Sequence, residues 1–174
     1  MAYRGRRAVD PHVVMAEVVH TKRIAPNMMR VTLGGDGLAR FTPAGYDQWF
    51  RLSLPHVGQD MLRLPTRSSG LWYAECLATP KARRPWVRNY TVRAARPDLD
   101  ELDIDFVLHG EADAAADDPG GHASGPGAGF ALAAAQGLRV GLLDQGVAYN
   151  PRHVHDWTLL IADESGLHGR SSPG

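Results

Sequence analysis

A regular alternation of apolar and polar residues past the middle of the chain constrains the fold more than any other feature. The apolar members are Leu102, Ile104, Phe106 and Leu108, and the residues that alternate with them are Asp103, Asp105, Val107 and His109. Successive side chains of a strand point to opposite faces, so this segment predicts a strand with one apolar face. We expect its aspartates to lie on the solvated face of an antiparallel sheet, although paired carboxylates also suit acid–base chemistry.

Other segments carry strand signals bounded by glycine, proline and asparagine. They are 13–24, 28–33, 48–54, 88–93 and 138–143, which together with 102–109 make six predicted strands. The apolar run 71–77 is compatible with a short strand around a buried Cys76. Residues 36–41 indicate one helical turn, and the alanine-rich segment 131–136, which Gly137 ends, predicts a short helix.

Composition limits the kind of protein this chain can be. At 174 residues and 44% hydrophobic residues, the chain suits one domain, with room for part of a second. The 19 basic and 19 acidic residues cancel, which argues against nucleic acid and anionic membranes as partners. Cys76 is the only cysteine, so an intrachain disulfide and cysteine-rich zinc or iron–sulfur sites are excluded. The sequence shows neither a membrane-spanning apolar run nor a signal core, so we expect a cytoplasmic protein.

The stretch Arg88-Asn89-Tyr90-Thr91 places a cation and an aromatic ring side by side in one predicted strand. Arg88 and Tyr90 share a face because they are two residues apart. A guanidinium binds phosphate oxygens bidentately and a phenol ring offers a stacking surface, so the pair suits a ligand with a phosphate and a flat ring. An ordinary amphipathic strand is the alternative interpretation.

Five motifs in a fixed order resemble those of a known family. They are Met29-Arg30-Val31-Thr32-Leu33-Gly34-Gly35, Asp47-Gln48, Arg84-Pro85, Arg88-Asn89-Tyr90-Thr91-Val92-Arg93 and Glu101-Leu102-Asp103-Ile104-Asp105-Phe106-Val107-Leu108-His109-Gly110. This series is similar to that of the siderophore-interacting proteins. The family consists of FAD-dependent, NAD(P)H-driven ferric-siderophore reductases of the wider ferredoxin-reductase type.

The resemblance implies a fold and a set of cofactor contacts. We expect a mainly β protein: a six-stranded antiparallel Greek-key FAD-binding barrel with one short capping helix between the last two strands. The family pattern implies that Arg88 binds the FAD pyrophosphate, that Tyr90 stacks on the flavin, and that Thr91 contacts its polar edge. His109 and Gly110 would lie along the ribityl phosphate, with a histidine in an exposed turn as the alternative.

A glycine-rich turn at 125–130 precedes the predicted helix and offers backbone N–H groups to a pyrophosphate. The resemblance assigns these contacts to Gly127, Ala128 and Gly129. The chain departs from the family's Gly-Pro-Ala-Ser-x-Trp segment, because Ala128 stands where a serine hydroxyl would bind phosphate and Phe130 replaces the tryptophan. Backbone donors survive both changes, so we expect weaker FAD binding rather than none.

The expected domain organisation follows from the same resemblance. It comprises a flexible basic arm at 1–12, an FAD-binding domain at 13–150, and a linker with the first strand of a nicotinamide-binding domain at 151–174. The rest of that second domain is expected to be missing from this sequence, so NAD(P)H could act as donor only if a second domain or a partner supplied its site. The uncovered apolar strand 157–162 would favour a homodimer.

The predicted function is FAD binding in a flavin-dependent ferric-siderophore reductase, with a ferric siderophore or another ferric chelate as electron acceptor. The sequence identifies no catalytic residue and predicts no protein-bound metal, since the pair His153 and His155 comes without recognisable further ligands. Two alternatives stay open. One is a barrel that binds or converts a small molecule without redox chemistry, and the other is a fragment that binds no ligand.

Overall fold

The structure, a computed structural model, describes residues 6–8, 11–45, 47–56, 62, 64, 71–108 and 125–147. Its strands are β1 (Val13–Ala25), β2 (Met28–Gly34), β3 (Gln48–Leu54), β4 (Trp86–Thr91), β5 (Ala94–Arg96), β6 (Glu101–Val107) and β7 (Arg139–Val147). Its α-helices are α1 (Leu71–Ala78) and α2 (Pro126–Ala133), and its 3-10 turns are Asp36–Arg40, Lys81–Arg83 and Pro97–Leu99. His109, Gly110 and the predicted strand 157–162 lie outside the described residues.

The strands form one antiparallel sheet in the order β4–β3–β7–β1–β2–β6–β5. The mainly β class is confirmed, but the six-stranded barrel is wrong in two respects. The described residues form seven strands, and the sheet that they make is not closed. The additional strand is β5, whose three residues pair with 101–103 of β6. A strand of three residues is too short to show an alternating pattern in the sequence. It is recognised only from its pairing with β6.

The two edge strands of the sheet are consecutive in the chain. β4 ends at Thr91 and β5 begins at Ala94, so only Val92 and Arg93 separate one edge from the other. The Val92 N–H donates to the Gln48 C=O of β3 (2.8 Å), and the Arg93 N–H donates to the Asp103 C=O of β6 (2.9 Å). The sheet must therefore curl until its edges approach each other, which gives it a concave face.

The concave face carries the hydrophobic core. Leu102, Ile104 and Phe106 of β6 are at most 1% exposed, as their alternation predicts. Their register partners on β2 are Leu33, Val31 and Met29. A shift of one residue would turn this whole apolar set towards solvent, so burial fixes the register.

The polar face of β6 differs from the expected solvated face. Asp103 is only 6% exposed, and its carboxylate accepts hydrogen bonds from Arg96 (2.7 and 2.8 Å) and from Thr32 (2.8 Å). Asp105 accepts two hydrogen bonds from Arg30 (2.7 and 2.8 Å). The bonds from Arg96 are the main reason why the pKa of Asp103 lies below its usual range. These aspartates therefore stabilise the β2–β6–β5 side of the sheet instead of facing water.

Residues 71–77 lie in helix α1 and not in the short strand that their apolar run suggested. A contiguous apolar run has neither the strand period nor the helix period, so sequence alone cannot assign it. Arg84 donates to the carbonyls of Leu77 (2.7 Å) and Thr79 (3.1 Å), which satisfies acceptors at the C-terminal end of the helix. Cys76 is buried on this helix, and burial raises the pKa of its thiol. Within the described ranges, no helix is long and apolar enough to cross a membrane.

Helix α2 lies between β6 and β7, which is the place expected for the capping helix. It begins at Pro126 rather than at residue 131, because proline is preorganised for the first helical position. The glycine-rich segment is therefore the first turn of the helix and not a loop before it. Phe130 and Ala131 of α2 are buried, and the Phe130 ring packs against Phe106 with centroids 5.6 Å apart.

Candidate functional site

A cleft of about 1070 Å³ opens where β4 faces the N-terminal end of α2. Its walls include residues 88–91 of β4, residues 92 and 93 between the two edge strands, residues 94 and 95 of β5, and residues 125–128 at the start of α2. Pro43, Gly45 and Asp47 contribute from the segment before β3. This volume lies just above the usual range for small-molecule sites, which is about 300–1,000 Å³.

Arg88 extends from the concave side of β4 but is exposed. Its register partner on β3 is Leu52, which is fully buried, so the residue opposite the guanidinium carries no charge. The guanidinium lies over the ring of Trp86, 5.5 Å from the ring centroid, and donates one hydrogen bond to the Val87 carbonyl (2.8 Å). Because a guanidinium has five N–H donors, most of its donors remain for an anion in the cleft.

Tyr90 joins the cleft to the core. Its ring packs against Phe106 with centroids 4.5 Å apart, tilted by 49°. Its hydroxyl lies against the α-carbon of Gly127, where any side chain would overlap it. Burial raises the pKa of Tyr90 above its ordinary value, and the charge of Arg88 opposes that shift. The phenol is therefore held neutral, with its ring in a fixed position at the cleft wall.

The free edge of β4 supplies backbone groups to the same cleft. The Val92 N–H donates to the Gln48 C=O of β3, and in an antiparallel ladder every second residue bonds to the same neighbour. The N–H and C=O groups of Asn89 and Thr91 therefore point away from β3. Such groups can bond the polar edge of a flat ring. The side chain of Thr91 is exposed on the opposite face, across from Trp49.

The first turn of α2 provides donors on the facing wall. The Gly129 N–H donates to the Gly125 carbonyl (3.0 Å), which begins the helical pattern. Pro126 has no N–H, so Gly127 and Ala128 hold the first-turn N–H groups that have no intrahelical acceptor. Gly125 occupies the N-cap and makes no side-chain cap. These two N–H groups and the positive end of the helix dipole can bind an anion.

Gln48 shapes the cleft from behind, although the sequence indicated it only as part of the Asp47-Gln48 motif. The side chain is 1% exposed and accepts a hydrogen bond from the Ala44 N–H (2.8 Å). Its amide donates to the Thr42 carbonyl (3.1 Å) and to Asp144 Oδ2 (3.0 Å). These bonds position the segment 42–45, which forms part of the cleft rim.

Arg93 and Asp105 line the cleft near β6, although neither was predicted from the sequence as a cofactor-binding residue. The Arg93 Nε lies 3.5 Å from Asp105 Oδ2, and the Arg93 side chain is 58% exposed. Asp105 is also held by the two shorter hydrogen bonds from Arg30. Arg93 is thus a second cation at the cleft, and its pairing with Asp105 is loose. Its position depends on how the strands pair, which the local sequence does not show.

The structure brings most of the predicted site residues together. Arg88, Tyr90, Thr91, Gly127 and Ala128 line the cleft. Gly129 follows them on α2, with its N–H engaged by Gly125. His109 and Gly110 belong to the part of the chain that the structure does not describe.

The sequence is similar to known proteins over most of its length. Residues 17–149 match the family described as the siderophore-interacting FAD-binding domain. The chain is 37% identical over 152 residues to the uncharacterised protein Rv2895c of Mycobacterium tuberculosis. The aligned region covers 87% of this chain and 48% of that protein. It is 30% identical over 155 residues to the ferric vibriobactin reductase ViuB of Vibrio cholerae, which covers 88% of this chain and 50% of that protein.

The fold has a similar counterpart among solved structures. The crystal structure of a siderophore utilization protein from T. fusca aligns with a TM-score of 0.56 and 29% identity, over 79% of this chain and 47% of that one. The chain therefore spans about half the length of the relatives that it matches.

Proposed function

This chain belongs to the siderophore-interacting FAD-binding domain family, and we propose that it binds FAD in the cleft between β4 and α2 and delivers electrons to a ferric siderophore or another ferric chelate. The observation that carries the proposal is the convergence of Arg88, Tyr90 and the first turn of α2 on one cleft. A cation, an aromatic ring and paired N–H donors are the groups that a flavin dinucleotide requires.

The residues present fit FAD in both size and charge. The cleft of about 1070 Å³ can accept a dinucleotide. Arg88 has a leucine as its register partner, so its charge is available to a pyrophosphate. Gly127 brings the α2 N–H groups next to Tyr90, because a side chain at this position would push the helix away from the phenol ring.

Each group has a distinct task in the proposed complex. Arg88 and the N–H groups of Gly127 and Ala128 bind phosphate oxygens from opposite walls of the cleft. Tyr90 stacks on the flavin, and its packing against Phe106 fixes the plane of that contact. The free edge of β4 at Thr91 binds the polar side of the flavin. Bound FAD would supply the redox chemistry, since a flavin can take up two electrons as a hydride and release them one at a time to ferric ions.

The electron donor in this proposal is NAD(P)H, bound by a second domain or a partner and not by residues 13–150. Hydride transfer requires close and oriented contact between donor and acceptor rings. In this proposal FAD occupies the cleft between β4 and α2, so the nicotinamide needs a site elsewhere. A ferric chelate then needs access to an exposed edge of the flavin, and the catalytic step needs no metal site in the protein.

Titration with FAD tests the binding step. The purified chain should retain flavin absorption bands through gel filtration, and excess FAD should raise its thermal midpoint, because a ligand that binds only the folded state stabilises it. A colourless protein whose midpoint does not respond to FAD would contradict the proposal.

A second measurement tests electron transfer. The bound flavin is photoreduced without oxygen and mixed with a soluble ferric siderophore, and its reoxidation is followed by stopped flow. We expect a rate that saturates with chelate concentration, whereas the control, free reduced FAD, should give a rate that increases in proportion. Tight FAD binding without reoxidation would instead favour a domain that binds small molecules without redox chemistry.

A further inference from the structure

The face of β4 that carries Arg88 and Tyr90 begins with a third large side chain. Trp86 lies two residues before Arg88, so it points to the same side of the strand, and it is 43% exposed. A strand rises about 3.3 Å per residue, which puts Trp86 about 13 Å from Tyr90 with Arg88 midway between them. One face of one strand therefore presents a ring, a cation and a ring in line.

The ring of Trp86 is held by its neighbours although much of it is open. The guanidinium of Arg88 lies 5.5 Å from the ring centroid. The ring of His56 lies 5.3 Å away, tilted by 54°, and its Nε2–H donates to the Arg84 carbonyl (2.7 Å). A side chain that is already ordered loses little conformational entropy when a ligand stacks on it.

We propose that Trp86 is the stacking surface for the adenine of FAD. This inference rests on the proposed function and extends it from the flavin half of the ligand to its adenosine half. The ligand presents flavin, pyrophosphate and adenine in that order, which is the order of Tyr90, Arg88 and Trp86 along β4. Purines stack well on indole, and an arginine that lies against the same indole keeps N–H donors for phosphate.

The assignment makes Trp86 a residue that selects FAD over FMN. FMN carries the flavin and one phosphate, which Tyr90, Arg88 and α2 can bind, but it has no adenine to contact Trp86. Removal of the indole should therefore weaken FAD binding and leave FMN binding unchanged. A merely structural role for Trp86 would weaken both ligands together.

The test compares dissociation constants for FAD and FMN in the wild type, Trp86→Leu and Trp86→Phe. Trp86→Leu should reduce the preference for FAD over FMN by about tenfold, with FMN affinity within about twofold of the wild type. Trp86→Phe keeps a stacking surface and should recover part of the preference. FMN binding reports in each variant whether the cleft is still folded.

Trp49→Leu is the matched control. Trp49 has an arginine two residues later, Arg51, over its ring at 6.0 Å, which repeats the Trp86 and Arg88 pair on the other face of the sheet. Its substitution should leave the FAD to FMN ratio unchanged. If Trp86→Leu binds FAD with an unchanged ratio, or lowers both affinities equally, the adenine assignment is wrong while the proposed function stands. If the wild type binds neither flavin, both are overturned.

Discussion

The arginines of β4, at one edge of the sheet, and of β2 and β5, towards the other edge, have different partners. Arg30 on β2 lies directly opposite Asp105, and Arg96 on β5 lies opposite Glu101 and also reaches Asp103. Arg88 on β4 lies opposite Leu52. Since neighbouring side chains across strands meet only at their register partners and diagonals, the register decides whether an arginine is used for structure or stays available to a ligand.

The largest expected effect is the loss of the carboxylate on the β2–β6–β5 side. Asp103→Asn should lower the free energy of unfolding by about 3 kcal/mol, because it leaves the guanidinium of Arg96 without its main partner. We place this value at the low end for buried ion pairs because the Arg96 side chain is 36% exposed. Urea unfolding measures it, and Asp98→Asn on the exposed Pro97–Leu99 turn is the control, with an expected change within about 0.5 kcal/mol.

The pH dependence of stability gives an independent check on Asp103. Its pKa is lower in the folded state than in the unfolded state, so its contribution to stability is complete above the unfolded value of about 3.9 and is lost as the pH falls through the lower folded value. The difference in stability between the wild type and Asp103→Asn should therefore shrink below about pH 4. A difference that stays constant with pH would show that the charge of Asp103 does not stabilise the fold.

The second effect concerns Arg88, whose loss should weaken FAD binding and leave the stability of the free protein nearly unchanged. Arg88→Ala should cost about 1.5–3 kcal/mol of FAD binding, which is the range for hydrogen bonds to charged groups. Stability without FAD should change by less than about 0.5 kcal/mol, because Arg88 is exposed and its register partner is uncharged. Calorimetric titration and urea unfolding of both variants test the comparison. It fails if Asp103→Asn weakens FAD binding as strongly as Arg88→Ala does.

The same register explains how much of the fold the sequence could predict. The apolar face of β6 was predicted correctly because a period of two is visible within a single strand. The partners of Asp103 and Asp105 were not, because a sequence does not show which residues of β2 and β5 lie opposite them. β5 was missed since its three residues are defined only by pairing with β6.

Predictability of the candidate site has the same limit. The spacing of Arg88 and Tyr90 placed them on one face, and the structure puts both in one cleft. The contact between Tyr90 and Gly127 joins residues far apart in the sequence, so no local pattern could have indicated it. Pro126 could have indicated the true start of α2, but the glycines after it are poor helix formers and suggested a loop.

The third prediction examines that contact between the walls of the cleft. A Cβ at Gly127 would overlap the Tyr90 hydroxyl and lie 3.1 Å from its Cζ. Gly127→Ala should therefore displace the ring or the helix and weaken FAD binding by about 1–2 kcal/mol. Gly125→Ala is the control on the same wall, since a Cβ there meets nothing within 4 Å. Adding Tyr90→Phe to Gly127→Ala should restore part of the loss, and a double variant with simply additive losses would contradict the steric explanation.

The smallest expected effect comes from adding one donor to the α2 wall of the cleft, which faces Arg88. Ala128 lines the cleft and is 5% exposed, at the position where the family pattern has serine. Ala128→Ser adds a hydroxyl beside the first-turn N–H groups and should strengthen FAD binding by about 0.5–1.5 kcal/mol. Without FAD the same hydroxyl is buried among apolar neighbours, so the thermal midpoint of the free protein should fall slightly. Ala128→Val, which adds bulk without a donor, is the control and should weaken binding. A serine variant that raises the midpoint of the free protein and leaves FAD affinity unchanged would mean that its hydroxyl bonds within α2, and that the phosphate lies on the Arg88 side of the cleft.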